Sequence, residues 1–169
     1  AVALTATLSG CEITPLTPPL HEEAYGGKYC ATLLSEGLLA FGAGIPENIS
    51  DDDVTVTGVE LVDAVGMELI GTRIIYVPVD GPGETMGVLD GWPPDMSDLP
   101  DLEAAFAEGG EIEGAVIPPS TDTKPSFVVG IRAEPGGHSG PLRVTYRAGD
   151  REWTWTAKIR YGIADGDDC

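Results

Sequence analysis

Residues 142–161, LRVTYRAGDREWTWTAKIRY, carry the pattern that decides the fold. Apolar and polar side chains alternate on both sides of Ala148-Gly149-Asp150, a sequence typical of a tight turn. Successive side chains of a strand point to opposite faces, so this alternation predicts strands with one buried and one wet face. We therefore predict an antiparallel hairpin whose second strand runs from Arg151 to Tyr161, with Trp153 and Trp155 in the core.

Further strands are predicted upstream of the hairpin. β-Branched and aromatic residues favour strands, and Gly/Pro-rich stretches such as 134–140 favour turns. The predicted strands are 53–62, 72–79 and 127–131, with weaker candidates at 28–34 and 115–117.

One helix is predicted, at residues 98–107, with Asp98 as its cap, Pro100 in its first turn and Leu102, Ala105 and Phe106 on one face. About seven strands with one short helix predict an all-β fold, an antiparallel β-sandwich. The pattern leaves open whether the strand order is immunoglobulin-like or that of another Greek key.

The charge of the chain excludes one class of partner. Nine Lys and Arg residues stand against 28 Asp and Glu residues, which gives a net charge of −19. Nucleic-acid affinity depends on Lys and Arg neutralising phosphates, so we expect no nucleic-acid binding. The acidic residues are spread along the chain, which favours a role in solubility.

The N-terminal residues suggest an export signal. Residues 1–10 carry no charge and end in small side chains, as the apolar part of a signal peptide does. Leu8-Ser9-Gly10-Cys11 resembles the bacterial lipobox, in which Cys11 would be diacylated and become the first residue of the mature chain. The Pro/Thr-rich segment that follows suits a spacer. The alternative is that residues 1–10 form an edge strand and that Cys11 is an ordinary thiol.

These features divide the chain into a signal-peptide remnant at 1–10, a lipid-anchored Cys with a Pro-rich tether at 11–27, and a β-sandwich domain at 28–169. Three cysteines are an odd number, and assigning Cys11 to lipid leaves Cys30 and Cys169 as a pair. We expect a disulfide between them, because exported proteins meet an oxidising environment. Two unrelated free thiols are the alternative.

The segments Phe127-Val-Val-Gly-Ile131 and Arg143-Val-Thr-Tyr-Arg-Ala-Gly-Asp-Arg-Glu-Trp153 resemble those of small secreted β-sandwich lipoproteins of actinobacteria. This resemblance implies an exported sandwich domain and assigns no catalytic residue.

Candidate chemical groups are few and scattered. Gly137-His138-Ser139-Gly140 places a His beside a Ser, but we expect a solvent-exposed turn there, since sequence neighbours rarely meet as nucleophile and base. The other His, His21, lies in the predicted tether. The run Asp51-Asp52-Asp53 lacks the spacing of a calcium loop, and a solvated loop is favoured over a calcium site. We expect no metal and no cofactor.

Trp92 is the candidate ligand-contact residue. It lies in Leu89-Asp-Gly-Trp-Pro-Pro-Asp95, a loop in which a large ring either packs over the edge of the core or contacts a ligand.

The leading hypothesis is a non-catalytic lipoprotein at the outer face of the bacterial cell membrane, acting as an interaction or accessory module with an extracytoplasmic protein partner. The alternative is a small-ligand or carbohydrate-binding module that uses Trp92. A hydrolase with paired carboxylates ranks last, because none of the 28 acidic residues is singled out.

Overall fold

The computed structural model describes residues 17–22, 26–33, 37–78, 87–120 and 122–165. This part of the chain forms twelve strands and one helix. In chain order these are β1 (Leu20–His21), β2 (Gly27–Ala31), β3 (Leu38–Gly44), β4 (Glu47–Asn48), β5 (Val54–Leu61), β6 (Val65–Pro78), β7 (Val88–Asp90), α1 (Pro100–Glu108), β8 (Val116–Ile117), β9 (Thr123–Ser139), β10 (Leu142–Ala148), β11 (Arg151–Thr156) and β12 (Ile159–Ile163).

Two sheets form the body of the domain. The four-stranded sheet has the order β11-β10-β5-β8, and the six-stranded sheet has the order β2-β12-β9-β3-β7 with β6 also paired to β9. The pairs are antiparallel, except that β2 runs parallel to β12. β1 and β4 form a separate ribbon. The predicted all-β sandwich is confirmed, with more strands than expected. β1, β3, β4 and β7 were not predicted, and the predicted strand from Arg151 to Tyr161 is two strands.

The main core lies between the two sheets. Phe127 of β9 and Trp155 of β11 meet edge to face, with ring centroids 5.6 Å apart. Phe41 of β3 contacts Tyr161 of β12 in the same way at 4.9 Å. Burying each such side chain stabilises the fold by roughly 1.5–3 kcal/mol. The Phe127–Trp155 contact joins the two sheets, whereas the Phe41–Tyr161 contact lies between strands of the six-stranded sheet.

A second, smaller core covers the outer face of the six-stranded sheet. Leu102, Ala105 and Phe106 of α1 pack there with Trp92 against the buried residues Ala40, Ile75, Val77, Met96 and Val128. The central strands β3 and β9 are therefore buried on both faces, which explains their continuous apolar runs.

The helix was located correctly, but its predicted cap is wrong. Leu99 occupies the cap position and makes no side-chain cap hydrogen bond, and Pro100 begins the helix. The side chain of Asp98 therefore does not perform the capping role that its residue type suggests.

The predicted strand from Arg151 to Tyr161 is wrong as a single element. β11 ends at Thr156 and pairs with β10, whereas β12 begins at Ile159 and pairs with β2 and β9 in the other sheet. Ala157 and Lys158 carry the chain from one sheet to the other. Trp155, Ala157 and Ile159 are all buried in the main core, so the alternating pattern continues across the change of sheet. The sequence pattern therefore gives no sign that the chain passes from one sheet to the other.

The predicted turn at 134–140 is also wrong. β9 is 17 residues long and continues to Ser139. It pairs with β6 along most of this length, and His138 and Ser139 pair with β12. Residues 134–137 form an irregularity in the β6–β9 ladder between the pairs Met67–Ala133 and Val65–His138, and Gly136 there has a φ of 73°. The glycines therefore bend β9 locally and do not end it.

Part of the predicted tether belongs to the folded domain. Leu20 is 4% exposed and lies in the main core, and Glu22 is 5% exposed. β1 pairs with β4 through Leu20–Asn48 and His21–Glu47. The folded region therefore begins before residue 28.

Candidate functional site

A cleft opens where two consecutive strands separate into different sheets. β5 and β6 are joined by a tight connection that includes Asp63, whose φ is 50°, yet β5 pairs with β10 and β6 pairs with β9. The segment after α1 crosses the gap between them. Its Gly110 exchanges backbone hydrogen bonds with Ile74 of β6, and Ala115 O accepts the N–H of Val56 of β5 at 2.9 Å.

Beyond this crossing segment, both strands have open edges. β8 pairs only with Val54 and Thr55 of β5, so no described strand pairs with that side of β5 from Gly58 to Leu61. β6 pairs with β9 on one side, and on the other its sole bridge within the described residues is the one to Gly110. Unpaired strand edges carry N–H and C=O groups that can bind another extended chain.

The cleft has a volume of about 530 Å³. It is lined by Val59, Leu69, Ile70, Gly71, Thr72, Glu111 and Glu113. We call this set the β5–β6 cleft. Its floor is the partly buried margin of the main core, because Val59 and Leu69 pack against that core.

The rim of the β5–β6 cleft is acidic and partly fixed. Thr72 Oγ1 donates to Glu111 Oε2 at 3.0 Å and accepts the N–H of Ile112 at 3.2 Å. Glu113 is exposed on the same crossing segment. The seven lining residues include no Lys or Arg, so the cleft presents an apolar floor beside negative charge. Such a surface favours the binding of a peptide whose side chains combine apolar groups with the cationic groups of Lys or Arg.

Trp92 lies outside the β5–β6 cleft, in the second core. Its indole covers the backbone of Gly71 and Gly130, where an added Cβ would overlap the ring. It also contacts Phe106 edge to face, with centroids 5.6 Å apart. The ring is half-buried, so it has a packing role; a ligand contact through its remaining surface stays a prediction.

His138 and Ser139 point in different directions. They are neighbours on β9, His138 exposed and Ser139 5% exposed, as alternate faces of a strand require. His138 lines a hollow of about 200 Å³ with Lys28 and Asp165, among other residues. Ser139 Oγ donates to Gly140 O at 2.9 Å. The two side chains therefore do not form a nucleophile and base.

Asn48 organises the acidic loop of Asp51, Asp52 and Asp53. Its Nδ2 donates to Asp52 O at 2.8 Å and to Ile117 O at 3.0 Å. Its Oδ1 accepts the N–H and the hydroxyl of Ser50. The three aspartates are exposed, and no three His, Cys, Asp or Glu side chains in the described ranges converge as metal ligands.

The sequence reasoning missed a buried polar pair. Glu22 Oε1 accepts the N–H of Ile45 at 3.0 Å, but neither Glu22 Oε2 nor Tyr161 Oη has a hydrogen-bond partner within the described part of the chain. Burial raises the pKa of Glu22. The pKa of Tyr161 is also raised, mainly by burial and to a smaller extent by the nearby Tyr29 and Glu22. An acidic residue in a Pro-rich segment gives no local signal of burial, so the sequence could not have revealed this pair.

The predicted lipid and disulfide residues are only partly covered. Cys11 and Cys169 lie outside the described residues. Cys30 is exposed on β2, where it pairs with Gly162 of β12. Ala164 N–H donates a backbone hydrogen bond to Ala31 O at 2.8 Å, which keeps the chain beside β2 after β12 ends.

The helix of the described region is too short to cross a bilayer. No family model matches the chain, and no curated protein matches it either.

Proposed function

We propose that this chain is a non-catalytic extracytoplasmic lipoprotein, held at the outer face of the bacterial cell membrane through Cys11, whose β-sandwich is an interaction module for a protein partner. The observation that carries the interaction role is the β5–β6 cleft, where two open strand edges flank an apolar floor and an acidic rim.

The occupant that fits the β5–β6 cleft is an extended, basic segment of the partner. A strand added to an open edge gains main-chain hydrogen bonds, and its alternate side chains can reach different surfaces. Apolar side chains would contact Val59, Leu69 and Ile70, while Lys or Arg would face Glu111 and Glu113. The net charge of −19 would further raise the rate of encounter with a basic partner.

The anchor proposal rests on Leu8-Ser9-Gly10-Cys11 and the spacer that follows. The burial of Leu20 supports it by giving the spacer a fixed point of entry into the domain. A lipid on Cys11 and a spacer that ends at β1 would hold the domain near the membrane surface without a spanning segment.

The bridge between Cys30 and Cys169 is part of the same proposal. Cys169 follows Ala164 by five residues, and five extended residues reach about 17 Å. Ala164 N–H donates a hydrogen bond to Ala31 O, next to Cys30, so the five residues from Ala164 to Cys169 are long enough to span to Cys30, which supports the proposed pairing.

A binding experiment with defined peptides tests the cleft. The probe is a labelled alternating Lys-Val hexapeptide, with the matching Glu-Val hexapeptide as the charge-reversed comparison, measured by fluorescence anisotropy. The Lys-Val peptide should bind, and Glu111→Gln with Glu113→Gln should weaken it about tenfold, as expected for two surface ion pairs. Methylating alternate backbone nitrogens of the peptide should abolish binding if it adds as a strand.

Asp51→Asn with Asp53→Asn is the matched control, because it removes the same charge from the exposed loop. This double variant should bind within about twofold of the parent chain, since distant exposed charges are screened by salt. Equal weakening by the two double variants would mean that the peptide follows net charge, and the cleft proposal would then be abandoned.

Intact mass spectrometry tests the anchor and the bridge. The protein should be extracted from membranes of a bacterium that expresses the full-length gene. A chain that starts at Cys11, carries acyl mass and gains the mass of two hydrogen atoms on reduction is the expected result. An unacylated chain that retains residues 1–10 would refute the anchor, and Cys11→Ser serves as the unlipidated control.

A further inference from the structure

The open edge of β6 presents the backbone groups of particular residues. β3 and β6 flank β9 on opposite sides, and Ala133 N–H donates to Gly37 O at 2.7 Å, on the β3 side. Met67 faces Ala133 across the ladder, so these two residues form a non-hydrogen-bonded pair. Such pairs alternate with bonded pairs in an antiparallel ladder, which makes Leu69, two residues along in the same register, non-bonded as well. The N–H and C=O groups of Met67 and Leu69 therefore point away from β9, into the open edge.

This open edge stops at Thr72. The register of β6 against β9 shifts between Leu69 and Gly71, and a bulge of this kind interrupts the regular spacing of the ladder. Beyond the bulge, Gly110 already occupies the edge, because it accepts the N–H of Ile74 at 2.8 Å and donates to Ile74 O at 3.3 Å. A strand added on the Leu69 side of the bulge therefore cannot continue along β6 past Thr72.

The closed end of the edge is negatively charged. Thr72 Oγ1 lies 3.0 Å from Glu111 Oε2, and Glu113 lines the same cleft. A strand antiparallel to β6 has its N-terminal end at Thr72, whereas a parallel strand has its C-terminal end there. The α-amino group of a chain is mostly protonated near neutral pH, so two carboxylates attract it and repel an α-carboxylate. The charge at this end thus favours an antiparallel strand that begins here.

We propose that the β5–β6 cleft binds the free N-terminal segment of the partner as a strand antiparallel to β6, with its α-ammonium group beside Glu111 and Glu113. This inference rests on the proposed function and adds which end of the partner is bound. The first residue of the partner lies opposite the bulge. Its second and fourth residues then face Leu69 and Met67, and its third residue faces Glu68.

This register implies a sequence preference. The side chains of Met67 and Leu69 pack against the main core, so apolar side chains fit opposite them. Glu68 is exposed and forms an ion pair with Arg132 at 2.6 Å, so a Lys or Arg opposite Glu68 would lie beside its carboxylate. The favoured partner therefore has apolar residues at its second and fourth positions and a basic residue at its third.

Two peptides of identical composition test the register. Lys-Val-Lys-Val-Lys-Val and Val-Lys-Val-Lys-Val-Lys both have a free N-terminus and a C-terminal fluorophore, and fluorescence anisotropy measures their binding. The first should bind about tenfold more tightly, because the second must either turn Lys toward Leu69 and Met67 or withdraw its α-ammonium group from the carboxylates. Equal affinities would overturn the inference, because they would show that the strand slides along β6 without a fixed end.

Acetylating the N-terminus of the first peptide should weaken binding about tenfold, as expected for the loss of a charge-assisted hydrogen bond. An acetylated peptide with one more Lys at its C-terminal end has the original net charge and should remain weak. In Glu111→Gln with Glu113→Gln the free and acetylated peptides should bind within about twofold of each other, whereas Asp51→Asn with Asp53→Asn should keep the tenfold difference. A tenfold difference that persists without the two cleft carboxylates would overturn the inference.

Hydrogen exchange followed by NMR identifies the strand that is used. The first peptide should slow exchange at the N–H groups of Met67 and Leu69 and leave Glu68 unchanged, because Glu68 lies in a pair already bonded to β9. Slowed exchange at Val59 with no change in β6 would place the peptide on β5 and overturn the inference. If the first peptide does not bind at all, the proposed function fails as well; if it binds without preference for a free N-terminus, only this inference fails.

Discussion

The indole ring of Trp92 lies against the backbone of Gly130, so closely that a Cβ on Gly130 would overlap ring atoms Cδ2, Cγ and Cε3. Gly71, on the neighbouring strand β6, meets the other half of the same ring. Two glycines on adjacent strands thus form a flat seat for one large side chain. The seat holds the loop after β7 onto the sheet and creates much of the second core.

Gly130→Ala should destabilise the domain by about 1–3 kcal/mol, the usual effect of forcing extra volume into a packed site. The measurement is urea unfolding followed by circular dichroism. Gly58→Ala is the control, because its added Cβ would meet only Thr145 Cβ at an ordinary 3.8 Å. Equal effects of the two substitutions would show that Trp92 does not occupy the seat.

Trp92→Ala should also destabilise the domain, by about 2–3 kcal/mol, somewhat below the value for a fully buried ring because part of the Trp92 surface is exposed. Trp92→Phe should recover part of the loss. The hypothesis of a small-ligand or carbohydrate module predicts instead that Trp92→Ala abolishes binding and leaves the melting temperature unchanged. Thermal unfolding of Trp92→Ala measures the packing role, and a ligand-binding measurement on the same variant tests the contact role.

Glu22 should make stability depend on pH in a defined direction. Burial raises its pKa above 4.5, so the folded chain binds this proton more tightly than the unfolded chain. Its contribution is therefore fully present below pH 4.5 and is lost as pH rises through the raised value. The hydrogen bond from Ile45 N–H opposes this rise in the pKa of Glu22, as do the nearby Lys158 and His21.

The check is the difference in unfolding free energy between the parent chain and Glu22→Gln from pH 4 to 8. As pH rises, the unfolding free energy of the parent chain should fall relative to that of Glu22→Gln. Exposed Glu152→Gln is the charge-matched control and corrects for the general repulsion among acidic residues. A difference that is flat, or that moves in favour of the parent chain, would contradict a buried carboxyl at position 22.

Asn48→Ala should cost about 2 kcal/mol or more, because it leaves the carbonyls of Asp52 and Ile117 without their donor. Asn48→Asp should be at least as damaging, since a carboxylate oxygen would face the Ile117 carbonyl. Asp52→Ala is the informative control: only its backbone oxygen accepts these bonds, so the loss should stay within about 0.5 kcal/mol. Thermal and urea unfolding measure all three.

Local sequence patterns were sufficient for the parts of the fold that are held by local pairing. The hairpin of β10 and β11 was predicted because its strands are adjacent and one face is wet. The helix was predicted from the shared face of Leu102, Ala105 and Phe106, which does pack on the sheet. Both signals depend on residues within a few turns of each other.

The remaining features depend on distant partners. The chain changes sheets at Ala157 and Lys158 without any break in alternation, and β9 continues through the irregularity at Gly136 and Gly137 because it pairs with β6 on both sides of it. Trp92 was singled out for its ring, but its glycine seat lies on β6 and β9. The β5–β6 cleft could not be predicted either, since two strands joined by a tight turn are normally expected to pair with each other.

The strand pairing also constrains how the chain can acquire its structure as it is made. β2 pairs with β12, β3 and β6 with β9, and β5 with β10, so the longest pairing of each of these strands is with a partner beyond residue 122. The earlier partners, β7 for β3 and β8 for β5, pair with only two or three residues. In a nascent chain these long pairings can form only once residues 123–163 begin to emerge, and pairings this distant form slowly. Its dense negative charge would then act during synthesis, by keeping growing chains apart before their strands can pair.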